Sequence, residues 1–179
     1  MRRSILSHIV ILFHLLIGQS IAADIAVRNP SFEAVSLGNG RLTRTITNWS
    51  VTGGTTNSDV GVYNPTSEYS SGITGNNVIY MVTNTNGKRN NLIQNTTTSM
   101  VPGTTYTLRV NVGHRGAGSR TNFAGYQVAL RCGNRVVRST GSLNAPQAAG
   151  TFGEVILTYT ATPADTGIIG VQFLSLIHI

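Results

Sequence analysis

The residues that could carry catalytic chemistry are few and far apart in this sequence. A nucleophilic triad would need His114, the one histidine between residues 24 and 174, and Ser119 close to it, but no Gly-x-Ser-x-Gly elbow surrounds that serine. Glycoside hydrolysis needs two paired carboxylates. The acidic residues are Asp24, Glu33, Asp59, Glu68, Glu154 and Asp165. Glu154 and Asp165 flank one strand-like segment, a pattern typical of a solvated edge, so the sequence predicts a protein that is not an enzyme.

The sequence also gives no support for a zinc site or a phosphate-binding loop. One histidine and one cysteine, Cys132, lie too far apart in sequence to predict a zinc site. The glycine-rich residues 113–118 are not followed by Lys-Ser/Thr and do not open a helical pattern, which excludes a phosphate loop. A single cysteine excludes an intramolecular disulfide. Because Cys132 falls on the same face of an alternating segment as Tyr126, Val128 and Leu130, we expect it to be a buried small side chain rather than a nucleophile.

Aromatic and polar side chains in the loops indicate ligand binding instead. Aromatic faces stack on sugar rings, and Asn and Arg side chains hydrogen-bond to hydroxyl groups. The candidate ligand-binding residues are Trp49, Tyr63, Tyr69, Arg115, Arg120 and Asn122. The three aromatic residues belong to the loop-rich first half and the others to one later loop, and loops at one end of a sandwich cluster. The alternative is a core role for the first two aromatic residues, a loop anchor at the third and a solvated loop for the arginines.

The charge balance is basic. Thirteen Lys and Arg against six Asp and Glu give a formal net charge of +7. This excess could attract anionic glycans, cell walls or nucleic acid. The arginines are scattered and form no basic arm, so the pattern favours a solvated surface and does not indicate nucleic-acid binding.

Period-two alternation predicts the fold. Residues 101–112 begin with the turn pair Pro102-Gly103 and then alternate apolar and polar side chains, which indicates a long half-buried strand. Nine or ten such segments, separated by turn signals, predict an all-β antiparallel sandwich, with a jelly roll as its subtype. The other predicted strands span residues 45–52, 60–63, 78–83, 92–97, 126–132, 136–140, 151–161 and 168–174, and residues 25–33 are predicted to be a short strand that runs into a turn at Asn29-Pro30. We expect 78–83 to pair with 92–97 and 126–132 to pair with 136–140 as hairpins.

The N-terminal segment has the features of an export signal. Arg2 and Arg3 precede an apolar run and then small residues, so we predict a cleaved leader over residues 1–23, with an uncleaved membrane anchor as the alternative. The mature domain would then span residues 24–174 and the protein would be secreted. Residues 175–179 are predicted to be a tail of doubtful origin, because LSLIHI looks like translated sequencing-adapter sequence.

Three stretches carry a resemblance to a known class of protein. They are NPSFE at residues 29–33, a run from Trp49 through glycine-rich sequence to GVYNP, and VPGTTYTLRVNVG at residues 101–113. Together they resemble exported jelly-roll modules with a galactose-binding-like or carbohydrate-binding-module-like fold, of the kind found in bacterial secreted proteins, including those with PEP-CTERM tails. The resemblance implies a structural calcium ion held partly by Glu33. The family's last strand, roughly Phe-Asp-Asn-Val, has no counterpart here, which predicts a missing strand and an exposed sheet edge.

The sequence therefore predicts a secreted, non-catalytic carbohydrate- or cell-surface-binding module, whose partner is a glycan or cell-surface polysaccharide. Two alternatives stay open. One is a structural extracellular-matrix protein without a small-molecule ligand. The other is the accessory module of a truncated secreted hydrolase.

Overall fold

The part of the chain that the structure describes contains ten β-strands and no helix. A computed structural model describes residues 24–53, 60–65, 68–69, 75–81, 90–114, 125–141 and 148–175. The strands are β1 (Leu42–Thr43), β2 (Ser50–Gly53), β3 (Val60–Tyr63), β4 (Val78–Met81), β5 (Asn90–Ser99), β6 (Thr105–His114), β7 (Tyr126–Cys132), β8 (Arg135–Ser139), β9 (Thr151–Thr160) and β10 (Ile168–Ser175). Within these residues, no helix has the length and apolar character needed to cross a membrane.

One five-stranded antiparallel sheet forms the larger layer, in the order β2-β5-β10-β7-β8. Its central strand β10 pairs with β5 on one side and β7 on the other. Because paired residues of neighbouring strands share a face, Leu92, Val171 and Leu130 all point to the core side. Along each of these strands, the residues that alternate with the core-facing ones point to the opposite side of the sheet, which we call the outer face.

Two smaller sheets, β1-β3-β4 and β6-β9, contribute the remaining core residues. Val60 and Val62 of β3 pack in one cluster with Trp49 and the β5 and β10 side chains. Leu157 of β9 packs in a second cluster with residues of β7 and β10. An all-β fold of antiparallel sheets is thus confirmed, and its layers are consistent with a β-sandwich. The jelly-roll subtype stays a prediction, because the described pairings leave three separate sheets.

The most regular predictions are confirmed. Strand β6 alternates exposed and half-buried residues as its period of two requires, and it pairs with β9 along its whole length. Strands β7 and β8 form the predicted hairpin, in which Gly133 adopts a left-handed φ of 57°. Cys132 is buried, as expected of a small apolar side chain. Strand β10 continues through Ser175, one residue beyond the predicted domain boundary, and the Ser175 hydroxyl accepts the Asn90 N–H at 3.3 Å.

One predicted strand at the N-terminal end and one predicted hairpin are wrong, and a second strand is right only in its last part. Residues 25–28 form no strand, whereas the turn predicted at Asn29-Pro30 is present, with Asn29 and Phe32 at left-handed φ values of 48° and 63°. The backbone N–H and C=O of Arg28 bond to the Gln94 side chain rather than to a neighbouring strand. Residues 45–49 turn as well, and only Ser50–Gly53 is extended. Strand β4 pairs with β3 and not with β5, which lies in the five-stranded sheet.

A buried aspartate ties the C-terminal strands together. Asp165 is fully buried and accepts hydrogen bonds from the Tyr159 hydroxyl at 2.5 Å and from the Thr162 hydroxyl and backbone N–H at 2.7 Å each. The Arg135 guanidinium of the β7–β8 hairpin also bonds to it. The Tyr159 hydrogen bond, followed by those from Thr162, holds the pKa of Asp165 well below its usual range. The carboxylate therefore holds the β9–β10 loop against the hairpin.

This arrangement predicts acid-sensitive stability. Because the pKa is lower in the folded state than in the unfolded state, the stabilisation is complete above the unfolded value of about 4 and is lost as the pH falls below it. We expect the melting temperature to drop between about pH 5 and pH 2 in the wild type, and to drop less steeply in Asp165→Asn. The exposed Asp24→Asn should keep the wild-type slope. If the melting temperature depends on pH equally in the wild type and in Asp165→Asn, Asp165 is not the source of the acid sensitivity.

Candidate functional site

A half-buried carboxylate is held beside a tyrosine where β3 ends. Tyr63 is the last residue of β3, and its hydroxyl donates a hydrogen bond to Oε1 of Glu68 at 2.6 Å. The Glu68 N–H donates to the Pro65 carbonyl at 2.7 Å, which closes the turn that brings the two side chains together. Both side chains are only partly accessible to solvent. The turn therefore fixes an acid–base group in a defined position.

An aromatic pair follows directly. Tyr69 packs on Phe152 of β9, with ring centroids 4.7 Å apart and planes inclined by 53°. Phe152 lies over Gly113, its partner in β6, where an added Cβ would come within 2.5 Å of the ring. Gly113 therefore leaves the space that this ring occupies. We call Tyr63, Glu68, Tyr69 and Phe152 together the Glu68 site.

The structure places the predicted ligand-binding residues in different surroundings. Tyr63 and Tyr69 belong to the Glu68 site. Tyr69 lies at the end of the β6–β9 pair, and β6 ends at His114, one residue before the predicted binding loop. Arg115, Arg120 and Asn122 of that loop lie outside the described residues, so their roles stay predictions.

Trp49 occupies the core. It is 9% exposed and packs between the rings of Phe32 and Phe173, each with its centroid 5.5 Å away. Its Nε1–H donates to the Asn29 carbonyl at 3.3 Å. The sequence leaves a core role open as the alternative for Trp49, and the structure places Trp49 in the core. A ligand role for Trp49 stays untested.

The other acidic residues have structural partners. Asp165 is fully buried among four donor groups and has no surface that a substrate could reach. Glu154 forms an exposed pair with Arg109 at 3.0 Å. Glu68 is a partly accessible acidic residue that bonds to Tyr63, and the next residue, Tyr69, packs on Phe152. Sequence reasoning assigned Glu68 no role, although Tyr63 and Glu68 flank the turn-forming Asn64-Pro65 and could have been recognised as a pair.

Glu33 organises a second turn. Its Oε1 accepts the backbone N–H groups of Asn76 and Asn77 at 2.8 and 2.7 Å. The Asn77 side-chain amide donates to the carbonyls of Phe32 and Val35, which fixes its orientation and leaves Oδ1 buried without a hydrogen bond. Such an oxygen next to a carboxylate fits the oxygen donor set of calcium. No group of three or more His, Cys, Asp or Glu with metal-site geometry occurs in the residues described.

Comparison with known proteins supplies the decisive observation. The family model described as HpiC1-like, HpiC1 cyclase, matches residues 23–176. The chain belongs to the HpiC1-like cyclase family. No curated protein matches the chain.

Solved structures of cyclases share the fold of this family member. A Stig cyclase, Fisc, from Fischerella sp. TAU in complex with (3Z)-3-(1-methyl-2-pyrrolidinylidene)-3H-indole is 24% identical, with a TM-score of 0.71 over 86% of this chain and 88% of that one. A cyclase from the same source in complex with 4-(1H-indol-3-yl)butan-2-one is 23% identical, with a TM-score of 0.69 over 87% and 89% of the two chains. An apo cyclase from Fischerella sp. is 22% identical, with a TM-score of 0.69 over 86% and 87%.

Family membership corrects the functional predictions. The resemblance to galactose-binding-like or carbohydrate-binding modules is wrong, as are the prediction of a non-catalytic protein and the prediction of a glycan or cell-surface polysaccharide partner. The error has a physical cause: the quoted motifs encode the turns and strands of a sandwich, and one sandwich fold supports many unrelated functions.

Proposed function

We propose that this HpiC1-like family member is a cyclase that closes a ring in a small indole-bearing substrate at the Glu68 site. The observation that carries the proposal is a half-buried carboxylate that Tyr63 holds, followed directly in the chain by Tyr69, which packs on Phe152. The neighbouring cyclase structures with indole-derived ligands support the substrate class.

The residues of the site suit such a reaction. Aromatic rings bind a planar indole by offset or edge-on stacking. A ring closure that is an isomerisation adds one proton to the substrate, forms one bond within it and releases one proton from another atom. One acid–base group near the substrate can deliver the first proton and accept the second. In this chain Glu68 is that group, and the Tyr63 hydroxyl orients its carboxylate.

The test is binding followed by turnover. The purified chain is titrated calorimetrically with 4-(1H-indol-3-yl)butan-2-one and then incubated with indoles that carry unsaturated side chains. We expect saturable binding and a product of unchanged mass with a new retention time. Lack of binding and lack of any mass-conserving conversion across the panel would overturn the proposal.

The aromatic pair makes a prediction of its own. Gly113→Ala places a Cβ where the Phe152 ring lies, so the ring must move and its contact with Tyr69 changes. An aromatic contact is worth about 0.5–1.5 kcal/mol, so we expect affinity for the indole probe to fall about 2- to 13-fold. Thr107→Ala, on the exposed face of the same strand, is the matched control. If Gly113→Ala also lowers the melting temperature, Phe152→Leu tests the same contact, and unchanged affinity in both variants would contradict it.

Calcium binding at Glu33 remains a proposal, supported by the buried Oδ1 of Asn77. A cation that binds only the folded state raises the melting temperature by mass action. We expect millimolar calcium to stabilise the wild type relative to EDTA, and magnesium to do so less. Glu33→Gln keeps an oxygen that can accept the Asn76 and Asn77 amides and removes the charge, so it should abolish the calcium effect. Equal melting temperatures in calcium and EDTA would rule out the site.

A further inference from the structure

Asn64 is a buried polar residue that lies in sequence between the two side chains forming the polar part of the Glu68 site. It follows Tyr63 directly and precedes Pro65, whose carbonyl accepts the Glu68 N–H at 2.7 Å. Asn64 is only 5% exposed, although an asparagine side chain carries hydrogen-bond donors and an acceptor. Burial of such an amide is favourable only where the amide is hydrogen-bonded, so the bonds of Asn64 indicate what this residue does.

Hydrogen bonds join Asn64 to the loop before β1, residues 37–41. The side-chain Nδ2 donates to the Leu37 carbonyl at 2.6 Å. The backbone N–H donates to the Arg41 carbonyl at 3.0 Å, and the backbone carbonyl accepts the Gly40 N–H at 2.8 Å. The two backbone bonds continue the β1–β3 ladder past its last pair, and the side-chain bond reaches further back along the loop. Asn64 therefore connects the end of β3 to the whole of this loop.

The connection is anchored in the core on both sides. Leu37 packs against the core cluster that contains Trp49 and Val62 of β3. Pro65, the residue after Asn64, is fully buried. Moving the turn away from the loop would leave the Asn64 amide buried without its carbonyl partner, which is costly. The hydrogen bonds of Asn64 therefore restrict the turn to one position.

We propose that Asn64 is a positioning residue that holds the Glu68 carboxylate at the Tyr63 hydroxyl, and this rests on the proposed function of the Glu68 site. Its amide acts through the turn at Pro65 and needs no contact with the substrate. Proton transfer is sensitive to such placement, because a shift of about 1 Å in a reacting group can cost about 10²-fold in rate. The aromatic pair of the site is anchored separately, since its second ring belongs to β9. Asn64 should therefore affect turnover more than substrate affinity.

Asn64→Asp tests this role. It keeps the shape of the side chain but replaces the Nδ2 donor with a second oxygen, which repels the Leu37 carbonyl. We expect single-turnover ring closure to slow by about 10- to 100-fold, while affinity for 4-(1H-indol-3-yl)butan-2-one stays within about twofold. Gln94→Glu is the matched control, because Gln94 is also buried and its amide donates to two backbone carbonyls elsewhere in the fold. It should lower the melting temperature and leave the rate of the folded protein unchanged.

A double-mutant cycle separates positioning from a general loss of structure. In the Glu68→Gln background, Asn64→Asp should have no further effect on the rate, because the group that it positions no longer exchanges a proton. A rate loss of equal size in both backgrounds would overturn the proposal, since Asn64 would then act independently of Glu68. If Asn64→Asp does not fold, Asn64→Ala removes the same donor without adding a charge and enters the same cycle.

Nuclear magnetic resonance tests the placement without any turnover. In protein isotopically labelled at tyrosine Cζ, the resonance that disappears in Tyr63→Phe belongs to Tyr63 and reports the hydrogen bond to Glu68. We expect this resonance to shift in Asn64→Asp and to stay in place in Gln94→Glu. An unchanged resonance in Asn64→Asp would overturn the proposal even if the chain is an active cyclase. A shift in a chain that converts no indole would support the role of Asn64 in placing Glu68 and would count against the proposed function alone.

Discussion

Glu68→Gln is expected to lower the rate of ring closure by about 10²- to 10⁴-fold, the usual contribution of a positioned acid–base group. The substitution keeps the size of the side chain and an oxygen that can accept the 2.6 Å hydrogen bond from Tyr63, but it removes the ability to exchange a proton. Affinity for 4-(1H-indol-3-yl)butan-2-one should stay within about twofold, since the aromatic pair supplies the binding contacts. Single-turnover kinetics and calorimetry measure the two quantities separately.

Two variants give this prediction its controls. Tyr63→Phe removes the hydroxyl that orients the carboxylate and should slow turnover by a smaller factor than Glu68→Gln, with an altered pH–rate profile. Glu154→Gln removes an exposed carboxylate that pairs with Arg109 and should leave the rate unchanged. If Glu68→Gln turns over substrate at the wild-type rate, then Glu68 only closes the turn at Pro65 and the proton-transfer group lies elsewhere.

The sequence predicted the fold best where local patterns and tertiary packing agree. Local sequence alone predicts the period of two in β6 and β9 and the turn at Gly133-Asn134. The strand predicted before the Asn29-Pro30 turn is absent because a distant side chain, Gln94, satisfies the backbone of Arg28 in place of a neighbouring strand. Such a bond spans 66 positions in sequence, and a local pattern contains no information about it.

The site was predictable only in part for the same reason. Tyr69 was chosen because an aromatic residue in a loop is conspicuous, whereas Phe152 looked like one more residue of a strand. Its contact with Tyr69 depends on the register that places Phe152 over Gly113. The sequence pattern assigns Glu68 no role, and its significance follows from the turn that brings it to Tyr63. Paired carboxylates are the requirement of glycoside hydrolysis, whereas a single carboxylate with aromatic neighbours suits proton transfer to a different substrate.

Trp49→Ala should cost about 3–5 kcal/mol of folding free energy, as for other large buried aromatic residues. The indole fills the space between Phe32 and Phe173, and its removal also leaves the Asn29 carbonyl without the Nε1–H donor. For a domain of this size the loss corresponds to a fall in melting temperature of about 10 °C. Far-ultraviolet circular dichroism measures this fall in melting temperature, because the variant lacks the chain's single tryptophan and with it the tryptophan fluorescence signal.

Trp49→Phe separates the core role of this residue from a ligand role. Phenylalanine keeps an aromatic ring in the stack and loses only the indole N–H and part of the volume, so it should recover most of the stability lost in Trp49→Ala. Affinity for the indole probe, measured well below the melting temperature, should match the wild type in Trp49→Phe. A variant that keeps its melting temperature but loses probe binding would instead place Trp49 in the ligand site. The 9% exposure and the contacts on both sides of the ring favour the core role, because a side chain enclosed by its own domain has little surface left for a ligand.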